Sequence, residues 1–230
     1  MSIPICFDVF GDFACFTRPE HKIERVTYDV ITPSAARGIC NAIYSKPVEF
    51  YYEITKIEVM KPVQYFELCT NEITSKATTK QKKEPLNVNV IRTQRHTVYL
   101  KDVYYRIHAL IHKRKDLAEV RITEHSIKKQ FERRVKKGKC FFQPGLGLRE
   151  CMCFFQPIDA KMKPVQQSAD LGIMLYDVFD IRNNVPLDTS KKDGNSVVCP
   201  SFFHAKMNKG VIEIPRFNSD AVFSLVEKGD

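Results

Sequence analysis

Residues 32–60 read TPSAARGICNAIYSKPVEFYYEITKIEVM, and their reading sets the architecture. Thr32 suits a helix cap and Pro33 the first helical position. Ala36, Ile39, Cys40 and Ile43 recur at helical spacing on one apolar face. Pro47 biases Lys46 out of helical geometry and closes the segment. From Val48 to Met60 the pattern changes to aromatic and β-branched residues, which predicts a strand. Tyr44 stands at the helix exit, seven residues beyond Arg37 and near a common face with it. The spacing leaves open whether this tyrosine is a core ring or a hydroxyl that does chemistry.

Outward from this unit, Ile3, Ile5, Phe7 and Val9 alternate and predict a first strand. Residues 11–31 read as loop, with a basic group of Arg18, Lys22 and Arg25. Val63 to Cys69 predicts a short strand, and residues 73–96 a polar, lysine-rich inserted loop or hairpin carrying Lys76, Lys80, Lys82 and Lys83. Val98 to Ile111 alternates as a strand, with His108 on the face opposite Ile107. Thr123 to Lys137 predicts a second helix with an Ile127, Phe131, Val135 stripe and a stop at Gly138. Leu148 to Gln156 returns to strand.

The order is βαββαβ. It predicts an α+β chain: a ferredoxin-like (RRM-like) domain over residues 1–163, with a β-hairpin inserted at about 73–96. Residues 164–230 hold LGIMLYDVFDI, a polar loop at 183–196 and a turn at Asn208-Lys209-Gly210 between apolar arms. They predict a C-terminal antiparallel β-sheet appendage.

The chain has 230 residues and a formal charge of +9, unevenly placed. Residues 101–140 hold 13 Lys/Arg against 5 Asp/Glu. A field so concentrated selects polyanions, and nucleic acid foremost. The same patch allows non-specific binding of double-stranded DNA through its phosphates. No apolar run reaches the roughly 18 residues of a membrane helix. The N-terminus reads as strand rather than export signal. The eight cysteines lie in apolar contexts and read as reduced hydrophobes. A cytoplasmic protein is expected.

Cys140, Cys151 and Cys153 do not match recurrent zinc spacings, and no phosphate-loop or dinucleotide fingerprint occurs. No metal site and no cofactor is expected. Gln143 to Glu150 (QPGLGLRE) follows the basic helix, where Gly145 and Gly147 allow close backbone approach to a phosphate and Arg149 a bidentate pair. Metal-free RNA cleavage needs a positioned 2′-OH, a group to manage its proton and a cation to offset the developing charge. Tyrosine, histidine and lysine supply these roles. His125, opening the second helix, and His108 are the histidine candidates.

FGDFACFTRPEHKIERVTYDVITPSAARGICNAIYSKP and FERRVKKGKCFFQPGLGLREC together resemble the type I-C branch of the Cas-five family of bacterial CRISPR systems. The resemblance implies a RAMP fold and a metal-independent endoribonuclease. Such an enzyme cuts the CRISPR precursor transcript at the base of the repeat hairpin and leaves a 2′,3′-cyclic phosphate. It then stays on the crRNA 5′ handle, beside the backbone and large subunits of the interference complex. The alternative is a non-catalytic subunit that only holds the handle. The family's helical tyrosine falls on Tyr44, and its Lys-His pair on Ser126 and Ile127, so His125 and Lys128 beside them take those roles. The resemblance and the charge pattern assign RNA contact to Arg18, Lys22, Arg25, Arg37, Lys129, Arg133, Arg134, Lys136, Lys137, Gly145, Gly147 and Arg149.

Overall fold

Thr32 accepts the Ala35 N–H at 3.3 Å and starts helix α1 (Pro33–Ile43), which the extended backbone at Tyr44 ends. Thr123 accepts the Ser126 N–H at 3.2 Å to open a second long helix, Glu124–Lys137. That helix stops at Gly138, which takes a left-handed φ of 61°. Both boundaries follow from cap chemistry already visible in the sequence. The computed structural model describes residues 2–21, 23–73, 87–114, 123–182, 185–186, 188–192, 195–198 and 200–224. Lys22 and the four lysines of the 73–96 insert lie outside the described residues.

The strands are β1 (Ile3–Ala14), β2 (Arg25–Val26), β3 (Phe50–Val59), β4 (Tyr65–Ile73), β5 (Arg92–Lys113) and β6 (Phe154–Gln156). The short helix α2 (Val88–Ile91) precedes β5, so the long second helix is α3. The C-terminal strands are β7 (Ala169–Asp177), β8 (Phe179–Asp180), β9 (Val185–Pro186), β10 (Asp188–Lys192), β11 (Asn195–Val198), β12 (Ser201–Asn208), β13 (Val211–Glu213) and β14 (Phe223–Ser224).

One sheet runs β14-β12-β13-β3-β5-β1-β6, with β7 on β12 and with β2 and β4 on β5. Its pairings are antiparallel apart from β2 with β5. Helices α1 and α3 cover one face. Phe131 of α3 meets Phe7 edge-on, ring centroids 5.2 Å apart, and lies 5.7 Å from Tyr52. Ile5, Phe7 and Val9 of β1 and Tyr105, Ile107, Ala109 and Ile111 of β5 point into this core. The period of two therefore places the intervening residues on the far face.

Several sequence expectations change here: within the expected 11–31 loop, β1 runs on to Ala14 and β2 forms at Arg25–Val26. Strand β5 spans 22 residues and begins at Arg92, so the ends of the expected 73–96 insert are strand. The expected strand at 148–156 shortens to Phe154–Gln156, because residues 145–152 close a turn with Leu146 N–H on Cys151 O at 2.7 Å. The expected polar loop at 183–196 contains the paired strands β10 and β11 and the strand β9. The turn at Asn208-Lys209-Gly210 forms as read, with positive φ at Lys209 and Gly210.

Two buried carboxylates fasten this sheet. Asp8, fully buried, accepts from Arg106 Nε at 2.7 Å, Tyr104 Oη at 3.1 Å and the Asp159 N–H at 2.8 Å. Glu53 accepts from His112 Nε2 and Arg216 Nη1, each at 2.8 Å, and from the Phe217 N–H at 3.1 Å. Burial pushes the Glu53 carboxyl upward, but these three donors outweigh it and bring it down to about 2. A folded-state value below the unfolded one gives stability that is present above about pH 4.5 and is lost as pH falls toward 2. Wild-type stability is expected to fall by on the order of 3 kcal/mol over that window from this group. Urea melts of Glu53→Gln across pH 2–7 check this: the variant's acid limb should be flatter.

Candidate active site

Tyr44 leaves the end of α1 with its backbone N–H on Cys40 O at 3.0 Å and its carbonyl accepting Tyr52 Oη at 2.7 Å. Its ring is largely buried, 7% of the residue being exposed. It packs against Phe50 at 5.4 Å and lies nearly parallel to Phe141, 6.2 Å away with a 17° interplanar angle. Arg134 of α3 wedges its guanidinium against both rings, 5.2 Å from the Tyr44 centroid and 4.3 Å from that of Phe141. Arg134 Nη1 also donates to Ile43 O at 3.1 Å. Among the described residues the Tyr44 hydroxyl makes no hydrogen bond, and the one buried side-chain polar atom without a partner is Arg134 Nε. The hydroxyl therefore keeps contact with solvent, where it can meet a substrate.

His125 and Lys128 do not join it. Arg134, which touches Tyr44, lies six residues beyond Lys128 and nine beyond His125. At 3.6 residues per turn they point about 120° and about 180° away from it. Lys128 pairs with Glu132 at 3.7 Å and lines a cleft of about 600 Å³ beside Pro4, Cys6, Lys56 and His108. That cleft is lined by β1, β3, β5 and β13 together with α3, and by none of the residues packed around Tyr44. His125 is exposed. The expected Tyr44, His125, Lys128 constellation is thus split by the width of α3. His108 stands in the same cleft with Lys128, its Nε2 2.8 Å from Glu58 and 3.5 Å from Cys6 Sγ. Burial and nearby Lys56 hold its imidazole below the usual range despite Glu58.

Several expected RNA contacts are occupied inside the protein. Arg37 pairs bidentately with Asp177, Nε to Oδ2 at 2.6 Å and Nη2 to Oδ1 at 2.9 Å. Arg18 lies 3.6 Å from Asp29 and stacks over Tyr28. Arg25 pairs with Glu72 at 3.0 Å. Arg37 is nearly buried in its pair, whereas Arg18 and Arg25 are about a quarter exposed, and each has an anionic or aromatic partner that sequence spacing does not reveal. By contrast, Lys129, Arg133, Lys136, Lys137 and Arg149 are exposed and have no ion pair among the described residues.

The glycines of the turn are needed for packing. A Cβ on Gly147, whose φ is +89°, would sit 2.0 Å from Cys15 O, and one on Gly145 would sit 2.8 Å from Leu148 O. Gly147→Ala is expected to cost about 2 kcal/mol or more, through strain at positive φ and displacement of the 14–16 segment. The check is a lower urea midpoint at an unchanged slope.

Phe141 and Phe142 escaped the sequence reading, although an aromatic pair placed directly after a basic helix is a recognisable signal. Their surroundings complete the geometry: a solvent-touching phenol, a ring stacked on it, and unpaired cations on the outer turns of α3.

The chain matches the model of the CRISPR-associated protein (Cas_Cas5) family, in its Cas5d form, over residues 5–215. It belongs to the Cas5d family. The chain is 38% identical over 226 residues to the CRISPR pre-crRNA endoribonuclease Cas5d of Thermus thermophilus, covering 95% of this chain and 94% of that one. It is also 38% identical over 241 residues to the CRISPR pre-crRNA endoribonuclease Cas5d of Mannheimia succiniciproducens, covering 96% and 99%. A crystal structure of a CRISPR-associated protein superposes with a TM-score of 0.67 at 26% identity, covering 97% and 98%. The Streptococcus mutans protein SMU1763c shares the fold with a TM-score of 0.65 at 23% identity, covering 97% and 98%. The Cas5d fold here is accordingly a mixed α/β structure built on a mainly antiparallel sheet. No helix among its described residues is long and apolar enough to cross a membrane.

Proposed function

We propose that this chain is an endoribonuclease that processes CRISPR precursor RNA and remains bound to the crRNA 5′ handle within a type I-C interference complex. The observation that carries the reading is the near full-length likeness to two relatives named pre-crRNA endoribonucleases. In this reading the unpaired basic residues of α3 and Arg149 hold the RNA phosphates. Tyr44 manages the proton of the attacking 2′-OH. The 2′-oxygen bonds to the adjacent phosphorus as the P–O5′ bond breaks, the 5′-oxygen leaves with a proton taken from water, and a 2′,3′-cyclic phosphate results without a metal. Arg134 is a cation seated against the Tyr44 ring, whereas Lys128 and His125 contact RNA from the other side of α3. Backbone and large subunits of the complex are the protein partners, in the cytoplasm.

The central strand order β3-β5-β1-β6, with α1 and α3 on one face, supports reading residues 1–163 as a ferredoxin-like domain. Its inserted hairpin is formed by β4 and the first half of β5, and residues 164–230 are the C-terminal sheet region.

The test is incubation of the protein with its cognate repeat RNA in EDTA. Expected are a single cut, a cyclic phosphate end, and no cut when the scissile sugar is 2′-deoxy. Cutting of the 2′-deoxy RNA overturns the mechanism. The separation of Tyr44 from His125 and Lys128 favours a second reading, a non-catalytic handle-binding subunit. Tight handle binding with no cleavage by wild type selects it. Gel shifts with RNA and duplex DNA at one salt concentration decide between those polyanions.

A further inference from the structure

We infer that Phe141 and Phe142 form a stacking platform for unpaired bases of the RNA, placing the nucleotide next to the hairpin against the Tyr44 hydroxyl. This inference rests on the RNA-binding part of the function proposed above. Large apolar side chains on a rigid, charged surface need an explanation, and these two are 56% and 62% exposed.

Their backbone is fixed rather than loose. Phe141 N–H donates to Ala42 O at 2.8 Å, Gln143 Nε2 donates to Cys153 O at 2.9 Å, and Cys153 N–H donates to Pro144 O at 3.0 Å. Leu146, fully buried, anchors the turn that follows. The Phe141 ring is oriented as well, by Tyr44 and by the Arg134 guanidinium. More than half of the residue nevertheless remains open to a further ring.

Charge identifies the occupant. Arg133, Lys136, Lys137, Lys139 and Arg149 flank the pair in sequence, all exposed and without an ion pair among the described residues. A protein partner would meet uncompensated positive charge around two rings. A single-stranded polynucleotide meets both demands, since each unit carries one π-face and one phosphate. Paired bases within a stem keep their faces covered, so the ligand is the unpaired RNA flanking the hairpin.

The experiment uses the full chain and repeat RNA made uncleavable by 2′-deoxy substitution, with 2-aminopurine placed in turn at each unpaired position beside the stem. Wild type is expected to quench the fluorescence of one or two positions. Phe141→Ala should abolish quenching at the position nearest the cut and weaken binding about tenfold. Phe141→Tyr should retain it, and Phe141→Leu should not. Because Phe141 also supports Tyr44, Phe142→Ala provides a variant with no ring contact to lose among the described residues, and thermal melts monitor folding of all four. Phe142→Ala should lose quenching at a neighbouring position with an unchanged melt. Quenching that persists in both alanine variants overturns the inference, as does full rescue by Phe141→Leu. A Phe142→Ala change that alters sedimentation of the free protein but not quenching also overturns it, in favour of a protein contact. Quenching by a protein that never cuts its RNA leaves the platform standing and removes only the cleavage reading.

Discussion

Tyr44→Phe is expected to lower the rate of repeat-RNA cleavage at least a hundredfold while the RNA affinity stays within about threefold of wild type. A positioned acid or base contributes roughly 10²–10⁴-fold. The hydroxyl is the only atom removed, and it makes no hydrogen bond among the described residues whose loss would unsettle the fold. Phenylalanine keeps the contacts with Phe50, Phe141 and Arg134 that fix the ring. Single-turnover cleavage with enzyme in excess, beside filter binding of uncleavable RNA, separates the two effects. A variant that cleaves at the wild-type rate removes Tyr44 from the chemistry.

Asp177→Ala is expected to destabilise the protein by about 3–5 kcal/mol. Asp177 is 2% exposed and accepts Arg37 twice, together with the Val178 and Phe179 N–H groups at 2.8 and 3.0 Å. Its removal leaves a guanidinium unpaired in a mostly buried place, along with two backbone donors. Arg37→Ala should cost less, because the carboxylate keeps its two backbone donors. An exposed pair such as Lys61 and Asp102 at 2.6 Å contributes at most about 1 kcal/mol by comparison. Denaturant melts give the order, and gel shifts of the folded fraction of Arg37→Ala should show near wild-type RNA affinity. A specific loss of affinity there would return Arg37 to the RNA interface.

These two residues also show where sequence reading reaches and where it stops. Both long helices were legible, because Thr32, Pro33, Thr123 and Gly138 act through partners one turn away. Strand β1 and the core half of β5 were legible from their period of two. The ion pair of Arg37 is invisible to spacing because its partner lies 140 residues further on. Arg134 was read as a phosphate contact, yet it is wedged against two rings, one of them seven residues on at Phe141. The length of β5 was hidden because residues 92–96 are polar, as a strand outside the core allows. Lys128 and His125 join Tyr44 only through the family's Lys-His pair, and the rotation of α3 turns them away from the helix face that Arg134 presents to it.

Strand β3 is completed on one side by β5 and on the other by β13, whose residues 211–213 pair with Glu58, Ile57 and Lys56. On a ribosome adding 5–20 residues per second, β13 follows β3 after roughly 8 to 30 s. For that interval this edge of a hydrophobic strand has no strand of its own chain beside it. The nascent chain thus passes through a stage open to wrong edge pairing, and ribosome-bound chains stalled before residue 211 should be markedly more dependent on chaperones than those released whole.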